Sequence, residues 1–89
     1  MTQLSDNFML EMLSKIQPFL IDILKTGRSS HLDCHYHEHM WTDPDHSIDF
    51  EVFVFEGHEI VESFEFNSLK TKEQIEATFA SMAAYVHSL

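Results

Sequence analysis

Between Arg28 and Lys70 this chain has no lysine and no arginine. That absence excludes direct contact with nucleic acid or an anionic membrane through the middle of the chain, because phosphate binding needs basic side chains. With a single cysteine, Cys34, no internal disulfide can form, which fits a reducing compartment or a small buried hydrophobe. Glycine is scarce: Gly27 and Gly57 are the only two, so no glycine-rich loop is available to cradle phosphate. No run approaches the ~20 apolar residues of a membrane span. The opening residues lack the basic, apolar and small-residue order of a signal peptide. The expectation is a cytoplasmic protein with no membrane contact.

What is present points to one small folded domain over residues 1–89. A 44% apolar share with eight Phe, one Trp and two Tyr is too much for a chain that stays solvated. The formal net charge is −10, and it is unevenly placed. Residues 29–67 hold ten carboxylates and six of the seven histidines, while five acids and five bases cancel in the flanks. Charge concentrated in this way repels itself and is poorly explained by fold stability.

The flanks read as helices. Met9, Met12, Leu13, Ile16, Leu20, Ile23 and Leu24 form a stripe at helical spacing over residues 5–26. Ser5 or Asp6 is the expected N-cap, and Gly27 the left-handed residue after the end. Pro18 should kink this helix or split it at Gln17. The Met-rich stripe is read as core, with a peptide-binding face as the alternative. At the other end, Thr71 and Gln74 spell a capping box, followed by the stripe Ile75, Phe79, Met82, Ala83 and Val86.

Three runs that alternate with period two lie between: 31–41, 47–55 and 59–67. The predicted fold class is α+β: helix, three-stranded antiparallel meander, helix (αβββα), with the helices packed on the apolar sheet face. A five-residue loop, 42–46, opposes Met40 with Ile48, Tyr36 with Val52 and Cys34 with Val54 on that face. A three-residue loop, 56–58, opposes Val54 with Ile60, Phe50 with Phe64 and Ile48 with Phe66. Glu38 and Glu62 share this face and are expected to reach past its edge. The opposite face then aligns His39, Asp49 and Glu65; His37, Glu51 and Ser63; His35, Phe53 and Val61; then Asp33 and Phe55. Its readings are a partner surface, a plain solvated face, or a face covered by a helix.

Carboxylates on a stiff sheet with exposed phenylalanines suit a cationic protein partner. The expected contacts are Asp43, Asp45, Asp49, Glu51, Phe53, Phe55, Glu56, Glu59 and Glu65. The partner expected is a basic protein, above all a nucleic-acid-handling enzyme whose groove the module would occupy. In size, charge and outline the chain resembles phage-encoded inhibitors of such enzymes, anti-CRISPR proteins among them. The resemblance covers no specific residue. An immunity protein for a basic toxin is a variant of this reading.

Two further readings belong to other classes. His35, His37 and His39 alternate on one strand, and with Glu51 they form a candidate metal site of the kind zinc takes. Against it stands the reading of these histidines as solubilising or pH-responsive, with no cofactor. The last reading is a homodimer paired through the histidine and phenylalanine face or an open strand edge. Catalysis is not expected: Cys34 points away from the histidines, and nothing in the pattern shifts a carboxylate pKa.

Overall fold

The computed structural model describes residues 4–89. Its elements are α1 (Asp6–Lys25), β1 (Ser29–Glu38), β2 (His46–Glu56), β3 (Glu59–Asn67) and α2 (Lys72–His87), an α+β fold with a single antiparallel sheet ordered β1-β2-β3. Local chemistry sets the helix ends. Ser5 caps α1 by accepting from the Phe8 amide at 3.1 Å. After Lys25 the chain leaves the helix through Gly27, whose φ of 87° suits a residue without a Cβ. At α2 both halves of the capping box form: Gln74 N–H donates to the Thr71 hydroxyl at 3.1 Å, and Thr71 N–H donates to Gln74 Oε1 at 2.9 Å.

Pro18 does not split α1. One helix of 20 residues runs through it, with Met9, Met12 and Ile16 buried before the proline and Ile23 after it. Packing on both sides of Pro18 outweighs the hydrogen bond the proline cannot donate.

Both helices lie on one side of the sheet. Phe50, Val52, Val54, Phe64 and Phe66 meet Met9, Met12, Ile16 and Ile23 of α1 and Ile75, Met82 and Val86 of α2 in one core. The Phe50 and Phe66 rings stack with centroids 5.0 Å apart.

The pairing differs from the expected register, but by even steps. Cys34 opposes Phe50 and Tyr36 opposes Ile48, so β1 is displaced by four residues and the connection widens to residues 39–45. Phe50 opposes Phe66 and Val52 opposes Phe64, a displacement of two. The β2–β3 connection is the two-residue turn Gly57–His58 rather than three residues. The count is restored by a bulge: Val54 pairs with Glu62 and Phe55 with Ile60, which leaves Val61 as an extra residue. Even displacements keep the side chains before the bulge on their expected faces, whereas Ile60, expected opposite Val54 on the apolar face, pairs with Phe55 on the other face and is 56% exposed.

One part of the expected core is not core. Tyr36 is 62% exposed, Met40 71%, and Cys34 is exposed as well. The helical layer stops short of them. Leu4 N–H bonds to the Ser68 carbonyl and Ser68 N–H to the Ile48 carbonyl, which sets the start of α1 beside Ile48. The β1–β2 hairpin continues past that point, and the molecule is 45 Å in its longest dimension. Glu38 and Glu62 on this side are both exposed. Among the described residues no helix is long and apolar enough to cross a membrane.

Candidate interaction surface on the open sheet face

With both helices on the apolar side, no element among the described residues covers the odd-numbered face of the sheet. The observed register orders it in rows: Ser29–Phe55–Ile60, His31–Phe53–Ser63, Asp33–Glu51–Glu65, His35–Asp49–Asn67 and His37–Ser47. The expected rows paired Asp49 with Glu65 and His37 with Glu51. The structure instead places three carboxylates side by side in one row. Strands lie about 4.8 Å apart, so the row spans roughly 10 Å.

Like charges directly opposite one another destabilise a sheet. Here the flanks are relieved and the centre is not. His31 Nε2 lies 2.7 Å from Asp33 Oδ1, and Lys70 Nζ lies 3.2 Å from Glu65 Oε1. Among the described residues Glu51, between them, has neither hydrogen bond nor ion pair.

Asp49 is held differently. His35 Nδ1 faces its Oδ1 at 3.0 Å and His37 Nε2 faces its Oδ2 at 2.8 Å, so two imidazoles clamp one carboxylate that is only 19% exposed. The interleaving of histidine and carboxylate is therefore present, but it leaves Asp49 largely unavailable to a partner. The four candidate metal ligands are not gathered. His35 and His37 are turned to Asp49, His39 Nε2 is 2.8 Å from the Ser47 hydroxyl, and Glu51 sits a row away beside Asp33. Among the described residues no group of three or more His, Cys, Asp or Glu side chains is placed to hold a metal ion.

The remaining expected contacts flank this centre. Phe53 and Phe55 are half-buried on the open face, with Ile60 and Val61 exposed beyond them. Glu56 and Glu59 close the β2–β3 turn, where Arg28 Nε meets Glu56 at 2.9 Å. Asp43 and Asp45 lie at the opposite end, in the β1–β2 loop. There Asp45 bonds His46 Nδ1 at 2.8 Å, and His46 Nε2 reaches Asp6 at the start of α1 at 3.1 Å. The hydrogen bond to His46 lowers the Asp45 pKa. The Asp45 bond, then the Asp6 bond, raise that of His46.

A feature without a role in the sequence reading lies at the same end. Tyr36, Glu38, His39, Met40, Trp41, Thr42, Asp43 and Asp45 line an open recess of ≈ 580 Å³. Trp41 is 96% exposed. Its signal in the sequence was two large apolar residues, Met40 and Trp41, directly before the turn-forming Thr42-Asp43-Pro44-Asp45.

No family model, curated protein or solved structure matches this chain.

Proposed function

We propose that this chain is a small acidic protein-binding module whose open sheet face docks on a basic surface of a partner protein. The surface meant is the kind a nucleic-acid-handling enzyme offers to phosphate, so docking there inhibits by occupancy. The observation that carries this reading is the Asp33–Glu51–Glu65 row, displayed on the face that neither helix covers. A row of like charges works against the sheet that holds it. A cationic counterpart would relieve that repulsion and be steered toward it by the field of the whole middle segment. Phe53, Phe55, Ile60 and Val61, on the side of the row toward the β2–β3 turn, would add apolar contact.

The test compares immobilised wild type with the triple variant D33N/E51Q/E65Q on a host lysate. Proteins retained by wild type at low salt should elute with rising salt and with added duplex DNA. Their affinity for the variant should fall on the order of tenfold or more. Equal retention by both proteins, with no salt dependence, would overturn the reading.

A further inference from the structure

The recess at the hairpin tip combines two features that are seldom exposed together. One is aromatic and apolar: Trp41 is 96% exposed, Met40 71% and Tyr36 62%. The other is anionic, since Glu38, Asp43 and Asp45 line the same recess. Among the described residues Glu38 and Asp43 have neither hydrogen bond nor ion pair, whereas Asp45 is held by His46. Trp41 also has a φ of 70°, a left-handed backbone that a bulky side chain seldom adopts. Such backbone is strained and persists where the surroundings impose it, often at binding sites.

An aromatic wall beside unpaired carboxylates has a definite chemical complement. A planar cation stacks on the ring face while its N–H groups reach the carboxylates, which describes a guanidinium better than an ammonium. An apolar occupant would bury Glu38 and Asp43 without compensation. We propose that the hairpin-tip recess receives an arginine side chain of the partner protein, stacked on Trp41 and Tyr36 and bonded to Glu38 and Asp43. This site lies beyond the open sheet face and adds a directional anchor to its broad charge. That the partner is basic is taken from the function proposed above.

Trp41 is the chain's one tryptophan, so its fluorescence reports on this site alone. The full-length protein is titrated with the peptide acetyl-Gly-Arg-Gly-amide, and with its citrulline counterpart as a neutral control of the same shape. The arginine peptide should quench or blue-shift Trp41 emission with a dissociation constant in the millimolar range. That affinity should weaken about threefold or more in E38Q/D43N. Circular dichroism confirms that the variant is folded. E51Q/E65Q, altered only on the open face, should keep the Trp41 response. The two proposals therefore fail separately: loss of lysate capture in the triple variant speaks for the face, and the peptide titration for the tip. No response up to ~100 mM peptide, or an equal response to the citrulline peptide, would overturn the arginine site. So would a Trp41 shift that follows protein concentration without peptide, since the occupant would then be a second copy.

Discussion

His46 connects three parts of the chain with one ring. Its Nδ1 faces Asp45, its Nε2 faces Asp6 at the start of α1, and the ring stacks on Tyr36 with centroids 5.6 Å apart. Both nitrogens can donate at once only in the imidazolium form. The bonds to Asp45 and then Asp6 accordingly raise the pKa of His46 above the ordinary 6.5. A group whose folded pKa is raised contributes stability that is complete below 6.5 and is lost as pH rises through the higher folded value. Asp45 has the opposite sign. Its pKa is lowered from 3.8, so its contribution holds above that value and is lost as pH falls through the lower folded one. The tether from loop to helix is thus fully made on the acid side of neutrality. In H46Q the midpoint of thermal unfolding should lose the component that declines in wild type as pH rises above 6.5 and through the higher folded value. By nuclear magnetic resonance the His46 ring should titrate above 6.5. A value at or below the ordinary one would mean the tether is not formed in solution.

Among the elements, α1 holds the clearest local conflict. Pro18 has no N–H for the Ser14 carbonyl and yet lies mid-helix with its own side chain exposed. Proline costs about 3 kcal/mol against alanine in a helix interior, and its stiffening of the unfolded chain returns up to about 1. P18A should therefore stabilise the protein by about 2 kcal/mol, which for a domain of this size raises the thermal midpoint by roughly 10 °C. A midpoint that stays or falls would mean that the ring makes a contact worth as much as the missing bond. The two helices show what could be read in advance. Ser5, Gly27, Thr71 and Gln74 were legible because capping is decided by residues three or four positions apart. The alternation of β2 and β3 placed Phe50, Val52, Val54, Phe64 and Phe66 correctly on the buried face. Register was not legible. Ser29 and Ser30 begin β1 without any apolar signal, and the Val61 bulge has no signature beyond an ordinary strand residue. Nor does alternation reveal where a helical layer stops, which is why Tyr36 and Met40 were expected in the core. The Leu4–Ser68–Ile48 bonds that end the layer join segments far apart in sequence. The same is true of the candidate site: its residues were legible, while register set the neighbours that put Glu51 between two carboxylates and clamp Asp49.

At the scale of the whole molecule, the net charge of −10 is carried by the sheet and its loops while the helical flanks are neutral. One layer thus supplies the core and the other the field. This division has a thermodynamic consequence. If Glu51 is kept for a partner rather than for the fold, removing its charge should help the isolated protein. Like charges opposite one another in a sheet cost about 0.2–1 kcal/mol per pair, and Glu51 has one such neighbour on each side, Asp33 and Glu65. E51Q should therefore be more stable than wild type by about 0.5–1 kcal/mol in urea melts at low ionic strength. The gain should shrink at about 0.5 M salt, where screening falls to a few ångströms. Wild type should be stabilised by added salt more than E51Q is. Capture of the basic partner should weaken in the same variant, so that stability and binding move in opposite directions. Were E51Q less stable than wild type at low salt, Glu51 would be serving the sheet itself, and the charge row would no longer argue for a counterpart.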